Sequence, residues 1–185
     1  MKTEPMNGID EPALKAFVDS VENYPDRRTV GFRVTTEWKG QTKSVGKVSS
    51  YLLGGEEFSR DFEIHADEPF ELLGGNTAPN PQELLIAALN ACLSVGYSAN
   101  AAAMGIELHK LEIESEGRLD LRGFLGLDSA IKPGYEEVRF TVRIKSLAPR
   151  DKLEQLHRLV MSTSPNFSNF ATAIRMVPNL VIDNS

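Results

Sequence analysis

The sequence predicts an α+β protein rather than a doubly wound parallel sheet. Segments in which apolar residues alternate with period two come in groups joined by short turns, as in an antiparallel meander. Helical apolar stripes lie between these groups instead of after every strand. The 185 residues are enough for one domain with an added segment, so we expect a helical arm over 1–27 and a main domain over 28–185.

Local patterns define the elements of the first half. Leu14, Phe17, Val18 and Val21 form a helical stripe that ends at Pro25, which predicts a helix over 10–24. Alternating apolar residues and the intervening turn residues then predict three antiparallel strands, over 30–38, 43–53 and 58–66.

A long helix is predicted after a loop rich in Gly, Pro and Asn. Asn80 can cap it, Pro81 suits its first turn, and Gly105 ends it near Met104. Because it is apolar on almost every side, we expect it at the centre of the core. Further elements are predicted in order: strands over 111–121 and 138–144, helices after Pro149 and from Ser164-Pro165, and a last strand over 177–182.

Charge and motifs exclude several classes of partner. The net charge is −6 and the isoelectric point is about 5.2, which disfavours nucleic acid and anionic membranes. The three histidines are isolated, and the Gly-Gly pairs lack a dinucleotide-binding pattern, so we expect neither a metal nor a cofactor.

The N-terminus has no apolar signal region, and two Asn residues interrupt the long apolar helix. We therefore expect a cytoplasmic protein that does not span a membrane.

Cys92 is the single cysteine, and it has two interpretations. It is either an inert buried thiol or a reactive one. A reactive thiolate in mid-helix needs a cation from another element, and Arg33, Arg60 and His65 are candidates. Gln82 and Glu83 precede Cys92 by about 14–15 Å of continuous helix, so neither reaches it directly.

The segment from Asn80 to Cys92 resembles the cysteine motif of the OsmC/Ohr family, the osmotically inducible and organic-hydroperoxide-resistance proteins. Its sequence is Asn80-Pro81-Gln82-Glu83-Leu84-Leu85-Ile86-Ala87-Ala88-Leu89-Asn90-Ala91-Cys92. The order of elements over 28–183 is also similar. The resemblance implies an intertwined homodimer and a thiol peroxidase. In that chemistry the first cysteine becomes a sulfenic acid, a second cysteine forms a disulfide with it, and an external dithiol reduces the disulfide. It also implies an Arg and a Glu that hold the thiolate.

The sequence departs from the family pattern at three places. Ser164 stands where the resemblance places the second cysteine, and serine cannot resolve a sulfenic acid. The family Glu aligns with the neutral Gln82, next to Glu83. No arginine clearly matches the family Arg. His65 falls closest to its position, and Arg60, earlier on the same predicted strand, is the alternative.

Two functional hypotheses follow. The first is a one-cysteine peroxidase that uses Cys92 and an external thiol reductant to reduce organic hydroperoxides or hydrogen peroxide. The second is a catalytically inactive module whose dimer pocket binds a small apolar or thiol ligand. An apolar loop, Phe124 to Leu127, is equally consistent with a core plug, a lid over a pocket or a dimer contact.

Overall fold

The computed structural model describes residues 5–183, so the ends of the two predicted segments, 1–4 and 184–185, lie outside the described residues. The predicted α+β class is confirmed. The helices are α1 Glu11–Asn23, α2 Pro81–Ala103, α3 Leu121–Phe124, α4 Arg150–Thr163 and α5 Pro165–Ala171. The strands are β1 Val30–Phe32, β2 Thr35–Trp38, β3 Ser44–Leu53, β4 Glu56–Ala66, β5 Lys110–Gly117 and β6 Val138–Lys145.

Strands β1–β4 form the first sheet, with β3 at its centre. Both β1 and β2 pair antiparallel with one edge of β3, and β4 pairs with the other edge. The predicted single strand over 30–38 is therefore two strands. The register of the β3–β4 ladder shifts between Val48 and Ser50, and β1 and β2 meet β3 on either side of the same point. At such a β-bulge, an extra residue on one strand interrupts the ladder of backbone hydrogen bonds. The apolar alternation of the sequence continues through it, so the pattern alone predicts one strand.

The two faces of the first sheet differ in chemistry. Directly paired residues of an antiparallel sheet share a face, which places Phe32, Tyr51 and Phe58 together. Their rings stack in sequence, with centroids 6.5 Å and 5.1 Å apart. We call this side the apolar sheet face, and its large exposed side chains are Phe32, Val34, Trp38, Phe58, Phe62 and Ile64. No layer covers it within the described chain, since Phe32 is 75% exposed and Trp38 is 72% exposed.

The core lies in the second half of the chain. Leu89, Leu93 and Tyr97 of α2 are buried against α4, whose Leu156 and Val160 are fully enclosed. The antiparallel hairpin β5–β6 packs on the same cluster. Gly96 allows the close approach of the two helices, because a Cβ there would lie 3.1 Å from Val160 Cγ1.

A second side of α2 is only partly covered in the single chain. Its residues recur at helical spacing, and we call them the Cys92 stripe: Leu85, Ala88, Cys92 and Val95. Leu85 is 44% exposed and Val95 is 67% exposed. Among the described helices, only α2 has the length and composition of a membrane span, which a core helix shares. The predicted central helix is thus buried on one side only.

Two boundaries in the second half differ from the prediction. The strand expected to reach Leu121 ends at Gly117, because Asp120 caps the one-turn helix α3 by accepting a bond from Arg122 N at 2.9 Å. The final strand predicted over 177–182 is wrong for the single chain. Residues after α5 form no strand within the described part, and Leu180 is 80% exposed. Alternating apolar residues form a strand only where an edge is available to pair with them.

The N-terminal arm is attached at two places. Asn7 donates to Ile106 O at 2.9 Å and accepts from Leu108 N at 2.8 Å, which ties the chain to the end of α2. The Arg28 guanidinium donates to Glu22 O at 2.8 Å and so binds the end of α1. The predicted helix is present, but its apolar stripe is not buried, since Phe17 is 51% exposed.

Candidate functional site

The first turn of α2 has the predicted cap. Asn80 Oδ1 accepts from Glu83 N at 2.8 Å, and Glu83 Oε2 accepts from Asn80 N at 2.8 Å. This reciprocal capping box satisfies two backbone donors that the helix would otherwise leave free. One Glu83 oxygen is therefore engaged at the start of the helix, some two and a half turns before Cys92.

Cys92 lies beside Ser164. The Cys92 Sγ is half-buried and 3.4 Å from Ser164 Oγ, although 72 residues separate the two in sequence. Ser164 is buried and caps α5, since its Oγ accepts from Phe167 N at 3.2 Å. Because that bond uses an oxygen lone pair, the hydroxyl hydrogen remains free to be donated to the sulfur.

A second contact holds α5 against α2 at the same level. Asn166 Nδ2 donates to Ala88 O at 2.8 Å, one turn before Cys92. The position of Ser164 next to the thiol is thus fixed from both helices. Two residues that sequence comparison placed in one site, Cys92 and Ser164, do meet in space.

The other predicted site residues lie elsewhere in the single chain. His65 Nε2 is 3.3 Å from Glu63 Oε2, and the His65 side chain is 60% exposed. The Arg60 guanidinium lies over the Phe62 ring at 4.8 Å and near the Tyr51 ring at 5.8 Å. Gln82 lines a cavity at the start of α2. Within residues 5–183, the thiol's only hydrogen-bond partner is Ser164.

Arg60 and His65 occupy opposite faces of β4. Arg60 alternates with Phe62 and Ile64 and so belongs to the apolar sheet face, as its contacts with aromatic rings show. His65 pairs with Val45 and shares the polar face with Glu63. The sheet therefore separates two of the three cations that the sequence leaves as candidates.

Asp67 is a structural residue of this region that the sequence analysis did not single out. It is fully buried and accepts bonds from the Thr42 and Thr77 hydroxyls at 2.6 Å and 2.7 Å, and from Thr77 N at 3.0 Å. The Thr42 and Thr77 hydroxyls hold the pKa of this carboxyl well below its usual range. Asp67 thereby fixes the 67–80 loop that leads into α2. The signal in the sequence that could have identified Asp67 is an acidic residue at the start of a loop that contains a Gly-Gly pair, Gly74-Gly75.

The comparisons with known proteins agree with this geometry. A family model described as OsmC-like protein matches residues 74–177, which is more than half of the chain and includes both Cys92 and Ser164. The chain therefore belongs to the OsmC-like family. No curated protein matches the chain.

Two solved structures show the shared fold. The OsmC-like protein from Mycoplasma pneumoniae has a TM-score of 0.61 and 16% identity, over 77% of this chain and 88% of that one. An OsmC-like protein of unknown function from Vibrio cholerae has a TM-score of 0.53 and 16% identity, over 74% of this chain and 91% of that one. The fold predicted from the cysteine motif is thus confirmed.

Replacing Asp67 tests its role in the loop. Because its pKa is lowered from 3.8 in the folded protein, its stabilising contribution is present above pH 3.8 and decreases as the pH falls below that value. We expect Asp67→Asn to lower the free energy of unfolding at neutral pH. The difference from wild type should shrink as the pH is lowered to about 3 in urea titrations. Asp61→Asn, on exposed β4, is the control; an equal effect there would contradict this assignment.

Proposed function

We propose that this protein is a one-cysteine thiol peroxidase that reduces organic hydroperoxides or hydrogen peroxide through Cys92. The contact between Cys92 and Ser164 carries the proposal. The thiol is half-buried beside a hydroxyl donor, at the place where a dithiol enzyme would hold its second sulfur. Membership of the OsmC-like family supports the same chemistry.

The reaction consumes one peroxide and two external thiols. The Cys92 thiolate attacks one oxygen of the O–O bond, which breaks; Cys92 becomes a sulfenic acid, and the leaving alkoxide takes up a proton to give the alcohol. An external thiol then condenses with the sulfenic acid, forming a mixed disulfide and water. A second external thiol attacks that disulfide, restores Cys92 and releases the oxidised reductant.

Ser164 has a polar role in this scheme instead of a redox one. Its hydroxyl donates to the thiolate, and hydrogen bonds to the charged form of an acid lower its pKa. Serine cannot form a disulfide, so the sulfenic acid is resolved from outside the chain.

A homodimer completes the site in this proposal. The single chain leaves two apolar surfaces uncovered, the apolar sheet face and the Cys92 stripe. Contiguous exposed apolar surfaces of this kind are rare in monomers and mark interaction sites. We infer that the apolar sheet face of one subunit covers the Cys92 stripe of the other.

This arrangement selects Arg60 over His65 as the partner cation for the thiolate. Arg60 lies on the apolar sheet face, and docking of that face would carry its guanidinium toward the partner's helix. His65 lies on the opposite face, beside Glu63. Gln82 and Glu83, at the start of α2, would bind and orient the cation from the other side. A cytoplasmic location, where external thiols are available, fits the same proposal.

A non-catalytic binding module is the second candidate function. Ser164 and the neutral Gln82 favour it, because each replaces a group that the resemblance assigns to turnover. In that case the dimer pocket beside Cys92 holds a small apolar or thiol ligand without consuming it.

Peroxide turnover separates the two functions. We expect wild-type protein to consume cumene hydroperoxide in the presence of dithiothreitol, and dimedone to trap a sulfenic acid on Cys92. Cys92→Ser should abolish both signals, because the nucleophile is lost. Turnover is measured by peroxide loss and trapping by mass spectrometry.

Variants of the two cations serve as a matched pair for that assay. Arg60→Met should slow turnover about tenfold at neutral pH, because it removes the charge that favours the thiolate. His65→Gln should leave turnover unchanged. Absence of both turnover and trapping in wild type, with glutathione and thioredoxin also tested as reductants, would refute the peroxidase and favour the binding module.

Restoring a second thiol tests the Ser164 position. We expect Ser164→Cys to form an intramolecular disulfide with Cys92 after one equivalent of peroxide. Cys92 Sγ and Ser164 Oγ are 3.4 Å apart, so a sulfur in place of that oxygen is close enough to reach the S–S bond length of about 2.05 Å. Mass spectrometry under non-reducing conditions detects the bond. Ser162→Cys, exposed on the last turn of α4, is the control. Two free thiols remaining in Ser164→Cys would contradict the geometry.

The dimer is tested by a change that a monomer would tolerate. Val95 is 67% exposed in the single chain, so Val95→Asp should be harmless unless a partner covers it. We expect wild type to have twice the 20.4 kDa chain mass by light scattering, and Val95→Asp to shift toward the monomer. Leu147→Asp, at a position that is 90% exposed, should not change the mass. Monomeric wild type, or a dimeric Val95→Asp, would refute the interface.

A further inference from the structure

Asn166 is a polar residue through which α5 contacts the long helix. Its Nδ2 donates to Ala88 O at 2.8 Å, across 78 residues of sequence. Asn169 lies about one turn further along α5, is exposed, and makes no side-chain hydrogen bond within residues 5–183. The two asparagines of this short helix therefore differ in the bond to α2, which makes Asn169 a matched control for Asn166.

The carbonyl that Asn166 binds belongs to the turn of α2 that carries the thiol. In an α-helix each N–H donates to the carbonyl four residues earlier, so the Cys92 N–H donates to the same Ala88 oxygen. A carbonyl oxygen has two lone pairs, and both are used here. The side-chain bond therefore attaches α5 to the hydrogen-bonded turn that ends at Cys92.

The first turn of α5 also carries the hydroxyl that contacts the sulfur. Ser164 caps this helix, accepts from Phe167 N at 3.2 Å, and has its Oγ 3.4 Å from Cys92 Sγ. The Ser164 N–H donates to Val160 O at 2.9 Å, which ties the residue to α4. One short turn thus contains both the group that touches the sulfur and Asn166, the group that is bonded to α2.

Apolar packing, more than this hydrogen bond, holds α5 on the core. Phe167 and Phe170 pack against the buried cluster, and the Phe167 ring meets the Phe140 ring edge to face with centroids 6.1 Å apart. Packing of two aromatic side chains contributes more to docking than one hydrogen bond near the surface does. Loss of the Asn166 amide should therefore leave α5 in place while its first turn becomes free to shift.

The contact between the hydroxyl and the sulfur is sensitive to such a shift. A hydrogen bond weakens steeply as the donor turns away from its acceptor. A displacement of about 1 Å near a reacting atom can slow a reaction about a hundredfold. Asn166 makes no hydrogen bond to the sulfur in the described chain, so its effect on the thiol passes through Ser164.

We propose that Asn166 is a positioning residue of the thiol site, which keeps the Ser164 hydroxyl within reach of Cys92 Sγ by anchoring the first turn of α5 on Ala88 O. This role rests on the proposed function, in which Ser164 donates to the thiolate, but it does not require peroxide turnover. Without the anchor, the hydroxyl stabilises the thiolate less, and the thiol reacts more slowly because the thiolate is the nucleophile.

Alkylation by iodoacetamide measures thiolate reactivity without any peroxide, and the single cysteine makes the modified site unambiguous. On the full-length protein we expect Asn166→Ala to move the midpoint of the pH–rate profile upward by about half a unit, because a hydrogen bond to the charged sulfur is weakened. On the rising part of the profile this corresponds to a rate about threefold lower. Asn169→Ala should leave the profile unchanged. Mass spectrometry follows the reaction.

A double-mutant cycle separates positioning from a general loss of structure. Ser164→Ala should slow alkylation at least as much as Asn166→Ala, and the double variant should react no more slowly than Ser164→Ala alone. Independent structural effects would multiply instead. Asn166→Asp is a second variant, since it keeps the shape of the side chain and removes its N–H donor. It should slow alkylation more than Asn169→Asp, which adds the same charge about one turn away.

The outcomes distinguish this role from the peroxidase itself. An unchanged profile in Asn166→Ala, or multiplicative effects in the double variant, would overturn the positioning role and leave the peroxidase standing. An unchanged profile in Ser164→Ala would overturn both the positioning role and the donation from Ser164. The expected alkylation pattern in a protein without peroxide turnover would support the positioning role and refute only the peroxidase.

Discussion

The long helix α2 has two apolar sides, and the chain covers only one of them. Leu89, Leu93 and Tyr97 form the core with α4 and the β5–β6 hairpin. The Cys92 stripe on the other side stays open, as does the apolar face of a sheet that has no second layer. A sheet is stable only when its apolar face is packed against another layer. The proposed dimer and its composite site both follow from this constraint.

The position of the thiol is set by helix packing. Cys92 lies at the border between the buried and the open side of α2, which makes it half-buried. The start of α5 is tied to α2 through Asn166, and Ser164 is brought to the sulfur as a consequence. In the proposed function, this contact stands where a dithiol enzyme would hold its second sulfur, with an oxygen in its place.

Local signals predicted most elements because their causes are local. Asn80, Pro81 and Glu83 specify the start of α2 through backbone donors within one turn, and the cap forms as expected. The break between β1 and β2 was not predictable, because the ladder irregularity arises on the neighbouring strand near Ser49. The strand expected over 177–182 failed for a related reason, since strand formation depends on a pairing edge and not on alternation alone.

By itself, the sequence determined the α+β class and the family resemblance, and that resemblance singles out Cys92 and Ser164. These features depend on periodicity, capping and a contiguous motif. Only the tertiary structure decided that Arg60 and His65 lie on opposite faces of one sheet and that no layer of the described chain covers its apolar face. Both depend on contacts between residues distant in sequence, and pairing register and layer packing set those contacts.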